Sequence, residues 1–160
     1  MPTGYSRTQI VLHWVVFVLV ALQYILSPPI AEAWSDIRAG IEPAIQPPVI
    51  GHVIGGLVVL ALVVWRLVLR SRRGVPLPPD AQPAALRMAA HVTHWSLYAA
   101  LILLPITGAA AWFGGVEAAA GAHSVLRIVL LALIVLHVAG ALYHQFWLRD
   151  GLMARMGRGQ

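Results

Sequence analysis

Four long apolar runs constrain the fold of this chain more than any other feature of its sequence. They cover approximately residues 10–26, 49–69, 88–112 and 123–148. An α-helix needs about 20 apolar residues to cross the hydrocarbon core of a bilayer. Inside lipid, helices and closed barrels are the structures that satisfy their own backbone hydrogen bonds. The sequence therefore predicts an all-α integral membrane protein, a four-helix bundle formed by residues 1–160 as a single domain.

The composition agrees with a membrane protein and excludes several kinds of site. Hydrophobic residues make up 59% of the 160 residues and charged residues only 11%, whereas about a quarter of an average soluble domain is charged. The chain has no cysteine, which excludes disulfides, thiolate metal sites, iron–sulfur clusters and covalently attached c-type haem. Its net charge of +5 comes from arginines at the ends of the apolar runs, so we do not expect nucleic-acid binding.

Charged residues between the runs predict the orientation of the bundle. Arginines gather before the first run, around the connection between the second and third, and after the fourth: Arg7, Arg66, Arg70, Arg72, Arg73, Arg87, Arg149, Arg155 and Arg158. The other two connections contain Glu32, Asp36, Glu42 and Glu117 against Arg38. By the positive-inside rule, both termini are cytoplasmic. The first run also resembles a signal peptide, but it is longer than the apolar part of one, so we interpret it as a span.

Histidines inside the runs are the strongest indication of function, because a polar ring in a bilayer is costly unless it has a partner. His123 and His137 are 14 residues apart, which puts them on one helical face and about 21 Å apart along the axis. His13 lies near the inner end of the first run, and His52 near the outer end of the second. Depth therefore predicts two pairs, His13 with His137 and His52 with His123.

A pair of imidazoles from different helices favours a haem iron. Zinc takes three or four protein ligands, and no Asp or Glu lies inside a run to complete such a set. Haem iron needs two axial ligands, and without cysteine the haem is b-type. Gly55, Gly56 and Gly140 follow predicted ligands by about one turn. They either leave room for a macrocycle or serve ordinary small-residue helix packing.

Three further histidines, His91, His94 and His144, keep other ligand sets open. Pairing His123 with His144 would space two sites about 31 Å apart, the full thickness of the core. Using His137 together with His144 leaves only about 10 Å between them. The 14-residue spacing is the workable one, with a histidine of the third run, His91 or His94, as the alternative ligand.

Several motifs in these regions resemble the bacterial cytochrome b561 family: YSRTQIVLHW (Tyr5–Trp14), GHVIGG around His52, AHVTHWSLYAALILLPITG (Ala90–Gly108) and LHVAGALYHQFWLRDG (Leu136–Gly151). The likeness covers nearly the whole chain. It implies a four-helix protein of the bacterial inner membrane that holds two b haems and exchanges electrons with ubiquinone or another quinone. By motif position, it implies these axial ligands of the haem irons: His13, His52, His123 and His137.

Residues near the ends of the runs are candidates for binding the haem propionates and the quinone. Anionic haem propionates need positive partners, and Arg7, Arg66 and Arg70 are inner-side candidates. Arg127, one turn from His123, is the outer-side candidate, unless it extends its charge to the outer surface instead. A quinone site combines an apolar slot with hydrogen-bond donors. The candidate donors near the inner surface are His91, His94, Tyr143 and His144.

Three classes of function fit these patterns to different degrees. We predict electron transfer between membrane quinone and an outer-face donor, with superoxide as one candidate, although the short connection Gly114–Ala122 would reduce an outer substrate site. The alternative is the haem subunit of a larger dehydrogenase, of the hydrogenase or formate dehydrogenase type, with a periplasmic redox partner. A histidine-relay transporter is disfavoured because the runs lack Asp and Glu. A structural anchor would leave the histidine spacing unexplained.

Overall fold

The computed structural model describes residues 4–76 and 82–156, and helices account for most of them. The α-helices are α1 (Arg7–Ile25), α2 (Ser27–Arg38), α3 (Pro47–Arg73), α4 (Ala84–Gly114) and α5 (Glu117–Tyr143). A π-helical turn (His144–Leu148) continues α5, and a 3-10 turn (Met153–Met156) follows. Four of the helices, α1, α3, α4 and the extended α5, are long and apolar enough to cross a membrane. This confirms the all-α bundle of four spans. Arg158 lies outside the described residues.

The spans extend beyond the apolar runs because capping residues and prolines begin them earlier. At the start of α1, the Ser6 hydroxyl accepts the Gln9 N–H at 3.3 Å, and the Gln9 side chain accepts the Ser6 N–H at 3.0 Å, a capping box. Prolines occupy the first turn of α3, where the N–H that proline lacks would have no partner within the helix. α5 begins at Glu117, six residues before the fourth apolar run, so the predicted start of this span at residue 123 is corrected.

The connection between the first two apolar runs contains a further helix, α2, which the run pattern does not predict. The prolines of Ser27–Pro29 predict the end of the first span, and α1 does end just before them, at Ile25. Pro28 and Pro29 then occupy the first turn of α2, a position that suits proline because its fixed φ is helical. α2 packs on α3 and buries Ala33. Only Leu26 separates it from α1.

Packing within the bundle is most extensive between α4 and α5, followed by α3 with α4 and α1 with α3. Gly115 and Val116 alone connect α4 to α5, and Gly115 has φ +66°, a left-handed conformation that favours glycine. The buried core consists of Val16, Val20, Val59, Val63, Ala100 and Leu130. Many other large apolar side chains of the spans are exposed, as expected of helices whose outer faces meet lipid.

Candidate functional site

The histidines paired by depth come together at two levels of the bundle. The rings of His52 on α3 and His123 on α5 have centroids 6.3 Å apart and planes inclined by 67°. The rings of His13 on α1 and His137 on α5 have centroids 6.2 Å apart, also inclined by 67°. All four side chains are half-buried. We call these two places the outer level and the inner level.

The spacing of each pair fits one metal ion between two imidazoles. Metal–imidazole bonds of about 2 Å, added to the distance from each nitrogen to its ring centre, separate two such centroids by about 6 Å. In the described parts of the chain, no three His, Asp or Glu side chains group together closely enough to hold a metal ion. Haem, whose porphyrin supplies four ligands, therefore suits these residues better than zinc. The ligand roles themselves stay a prediction.

Open space surrounds the outer level. A cavity of about 200 Å³ and another of about 70 Å³ both border His52, His123, Gly56, Pro105 and Arg127. A Cβ atom at Gly56 would meet no atom within 4 Å. Gly56 therefore contributes free space directly beside the histidine pair, as a flat macrocycle would require.

Two other glycines near the histidines accommodate side chains. At Gly108, a Cβ would lie 3.1 Å from the His123 ring, so this glycine lets the ring pack against α4. At Gly55, a Cβ would overlap the side-chain amide of Gln23. Gly55 thus admits a side chain of α1, which is the helix-packing role that the sequence left open.

Both rings at the outer level are oriented through Nδ1. His123 Nδ1 lies 2.9 Å from the Leu104 carbonyl oxygen, which can only accept, so Nδ1 carries the proton and Nε2 has a free lone pair. His52 Nδ1 lies 2.9 Å from the side-chain amide of Gln23. Such contacts behind a ligand fix the direction of its ring. Sequence reasoning missed Gln23, although an amide inside an apolar span was a signal for it.

One wall of the larger outer cavity comes from α2. Trp34 of α2 lies on this wall, and Trp112 at the end of α4 borders the same cavity. Sequence reasoning missed this wall because it did not predict α2. Its signal was a set of apolar residues spaced by three, four and seven positions, which form one helical face: Ile30, Ala33, Trp34 and Ile37.

At the inner level, a third histidine joins the pair. The His94 ring centroid is 5.2 Å from that of His137, closer than His13. The His91 ring instead neighbours Trp95, at 6.3 Å. The alternative ligand from the third span therefore applies to His94 and not to His91.

Of the arginines proposed as partners of haem propionates, three lie near the histidines. Arg127 borders both outer cavities, Arg66 lies within electrostatic range of His13, His94 and His137, and Arg70 lies within electrostatic range of His94. Arg7 is exposed in the first turn of α1. The guanidinium of Arg70 lies 5.5 Å and 5.9 Å from two aromatic ring centroids, which is cation–π geometry: those of Trp95 and Tyr98.

The predicted quinone-binding residue His144 is buried in a hydrogen-bonded latch at the end of α5. Its Nδ1 donates to the Asp150 carboxylate, and its Nε2 lies 3.3 Å from the Gln82 amide nitrogen. Partial burial raises the pKa of the Asp150 carboxyl, but hydrogen bonds from His144 and from the Leu152 N–H outweigh it and hold that pKa below its usual value. The latch joins the end of α5 to the segment before α4.

The other predicted quinone-binding residues are more accessible. Tyr143 is exposed and stacks on Trp147, with ring centroids 6.4 Å apart and planes inclined by 14°. His91 is also exposed, whereas His94 is half-buried. Tyr143 and His91 therefore present donors at the surface of the bundle, while His144 already has partners on both ring nitrogens.

Comparisons with known proteins give one consistent likeness. The chain matches the family model described as prokaryotic cytochrome b561 over residues 4–159. It is 36% identical to cytochrome b562 of Cereibacter sphaeroides, with 97% of this chain and 96% of that protein aligned. It is 29% identical to a probable superoxide oxidase of Yersinia pestis (98% and 97% aligned). It is 25% identical to cytochrome b561 homolog 1 of Escherichia coli K12 (95% and 96% aligned).

Proposed function

Because the chain belongs to the prokaryotic cytochrome b561 family, we propose that it holds one b haem at each histidine level and transfers electrons between the outer face and membrane quinone. Family membership and the four apolar spans make it a multi-pass protein of the bacterial inner membrane, in contact with lipid. Its activity is electron transfer through haem b. The proposal adds the number of haems, their ligands and the exchange partners.

In this proposal, His52 and His123 bind the outer haem iron, and His13 and His137 bind the inner one. The observation that carries the proposal is the near-equal ring separation of the two pairs, 6.3 Å and 6.2 Å. When bound, haem supplies an iron that takes up and gives up one electron. The chain's own residues orient the imidazoles and keep both levels at fixed depth.

The apolar core between the two levels supports the same function. Along α5, Leu130 lies midway between His123 and His137, which are about 21 Å apart along the helix axis. The core residues of α1 and α3 likewise lie between the histidine of their own helix and the centre of the membrane: Val16, Val20, Val59 and Val63. A buried apolar layer disfavours ions and unpaired polar groups, so electrons would pass between the levels without ion leakage.

Positive charge near each level would stabilise haem propionates. Arg127 would serve the outer haem, because it borders both outer cavities. Arg66, together with Arg7 at the start of α1, would serve the inner one. Charge-assisted hydrogen bonds from arginine suit carboxylates because the guanidinium presents two parallel donors.

Quinone would exchange electrons at the inner end of the bundle. Tyr143 and His91 offer exposed donors for quinone carbonyls beside lipid-facing apolar side chains, a combination typical of such sites. His94 would lie between this surface and the inner pair. His144 would bind a carbonyl only by exchanging its Gln82 contact for the quinone.

Superoxide is the second candidate for the outer reaction. One relative is named a probable superoxide oxidase, and Arg127 at the outer cavities would attract a small anion. The outer connections nevertheless carry more acidic than basic residues, which opposes steering of anions. The alternative of a haem subunit in a larger dehydrogenase would instead require a periplasmic partner to bind the outer face.

Haem content of the purified protein tests the number and ligands of the haems. We expect two b haems per chain in the reduced spectrum. His52→Ala and His123→Ala should each lose one haem and keep the other, while the control His91→Ala keeps both. Retention of both haems by His52→Ala or His123→Ala would contradict the proposed outer site.

Reduction kinetics test the exchange partners. Tyr143→Phe should slow haem reduction by ubiquinol and leave reduction by superoxide unchanged, whereas Arg127→Gln should do the reverse. Equal effects of both variants on both reactions would contradict separate inner and outer exchange sites. A wild-type protein that superoxide fails to reduce would exclude superoxide as the outer donor.

A further inference from the structure

Gln23 is a polar residue within the first span, and its side-chain amide is satisfied by α3. The hydrogen-bond pattern assigns Nε2 as donor to His52 Nδ1 at 2.9 Å and to the His52 carbonyl at 3.0 Å. Its Oε1 accepts from the Gly56 N–H at 3.0 Å. An amide in hydrocarbon is costly without such partners. Gly55 leaves the space that this amide occupies, so α3 is shaped to receive it.

This contact determines which nitrogen of His52 carries the proton. An Nδ1 that accepts a hydrogen bond has no proton, so neutral His52 holds its proton on Nε2. An imidazole that binds a metal through Nε2 needs the opposite arrangement, with the proton on Nδ1 and an acceptor behind it. In the arrangement described here, His52 therefore cannot bind iron through Nε2.

The same side chain contains the acceptor that the other arrangement needs. A half-turn of the Gln23 amide exchanges Nε2 and Oε1, and Oε1 then accepts from a protonated Nδ1. The turn gives up the contacts of the amide with the His52 carbonyl and the Gly56 N–H, two groups four residues apart in α3 that also bond each other along the helix. The proton count does not change, because His52 loses a proton from Nε2 and gains one on Nδ1. The proton of His123 is instead fixed on Nδ1, because the Leu104 carbonyl beside that nitrogen can only accept a hydrogen bond.

We propose that Gln23 is a positioning residue for His52, and that its amide turns from donor to acceptor when His52 binds the outer haem iron. This inference rests on the proposed ligand role of His52. It gives the outer level one ligand with a fixed proton, His123, and one whose proton position depends on an amide from α1. Behind a bound ligand, an acceptor raises the electron donation of the imidazole and thereby lowers the reduction potential of the iron.

Two substitutions of Gln23 separate acceptor from donor. Gln23→Glu presents only oxygen atoms to His52 Nδ1 and keeps the acceptor, whereas Gln23→Met has a similar length and presents neither amide group. We expect Gln23→Met to release the outer haem to apomyoglobin about 10- to 100-fold faster than the wild type, with a raised outer-haem potential. We expect Gln23→Glu to retain haem as well as the wild type, with an unchanged or lowered potential.

The control is Gln9→Met, the same substitution near the other end of α1. It removes the 3.3 Å hydrogen bond from the Gln9 side chain to the Gly74 carbonyl, which also joins α1 to the end of α3, and Gln9 lines neither outer cavity. Its release of the outer haem and its outer potential should stay at the wild-type values. Should Gln23→Met fail to assemble, Gly55→Ala gives the same test, because the added Cβ displaces the amide and should raise the potential.

The outcome for Gln23→Glu decides the inference. If Gln23→Glu releases haem as fast as Gln23→Met and shifts the potential in the same direction, Gln23 is not an acceptor in the haem-bound protein, and the inference is overturned. Haem content of His52→Ala distinguishes this failure from failure of the proposed function. If that variant keeps both haems, the ligand assignment is wrong. If it loses the outer haem, only the role of Gln23 is wrong.

Discussion

The two histidine levels have the same internal geometry but different surroundings. Both pairs have ring planes inclined by 67°, and their centroid separations differ by only a tenth of an ångström, 6.3 Å against 6.2 Å. The outer level contains two histidines, bordered by cavities and by glycine. The inner level contains a third imidazole, His94, 5.2 Å from His137.

This difference shows that one helix sets the depth of the two pairs, whereas other helices set what surrounds each pair. One helix, α5, contributes a histidine to each level, and its 14-residue spacing fixes their depths. The neighbouring helices then decide what else reaches each pair: an amide from α1 at the outer level and an imidazole from α4 at the inner level. If both levels bind haem as proposed, their ligand strengths and reduction potentials can therefore differ although one helix sets the depth of both.

The largest expected effect is loss of the inner haem, and the variant that loses it identifies which imidazoles bind at the inner level. His13→Ala should lose the inner haem and keep the outer one, because an iron with one axial protein ligand is held weakly. His94→Ala should keep both haems. Haem-to-protein ratios and reduced spectra measure both results. Loss of a haem from His94→Ala, with retention by His13→Ala, would make His94 the ligand.

A substitution at Gly108 should weaken the outer level alone. In Gly108→Ala, the added Cβ would lie 3.1 Å from the His123 ring, so the ring must shift away from α4. We expect release of the outer haem to accelerate about tenfold, as for other changes behind a metal ligand. Gly121→Ala, whose Cβ meets no atom within 4 Å, is the control. Faster release of the inner haem instead would show that the levels are not independent.

The latch at the inner end should respond to pH. Asp150 has a lowered pKa in the folded protein, so its contribution to stability is present above the unfolded value of 3.8 and is lost as pH falls through the folded value. Asp150→Asn should lower the free energy of unfolding by about 1–3 kcal/mol at pH 7, and by progressively less as pH falls below 3.8. Thermal unfolding in detergent at several pH values measures this. A deficit that persists at low pH would contradict the charged role.

The smallest expected effect concerns the ion pair at the outer end. Arg38 and Glu117 approach to 3.4 Å, with side chains 58% and 75% exposed. Such surface pairs contribute about 0–1 kcal/mol, so Arg38→Gln should barely change the melting temperature or the outer haem content. If Arg38→Gln did lose outer haem, this ion pair, and not burial of Ala33, would hold α2 beside the cavity.

Much of the fold could be predicted because lipid imposes it. The four apolar runs allowed helices only, and the spacing of His123 and His137 follows from helix geometry alone. Helix ends were less predictable, because Glu117 and Pro47 belong to helices without being apolar. The position of His94 could not be predicted, since it depends on how α4 is rotated against α5. Gln23 was visible in the sequence, but its partner on α3 was not.

A turn of only Gly115 and Val116 makes α4 and α5 a helical hairpin that can leave the translocon as one unit. Because α1 and α3 precede this hairpin in the chain, they are synthesised first, and each carries one histidine of a pair. Because α5 supplies the second histidine of both pairs, neither pair exists until this hairpin docks. If both levels bind haem as proposed, neither can take up its cofactor before α5 has been synthesised and has joined the earlier spans.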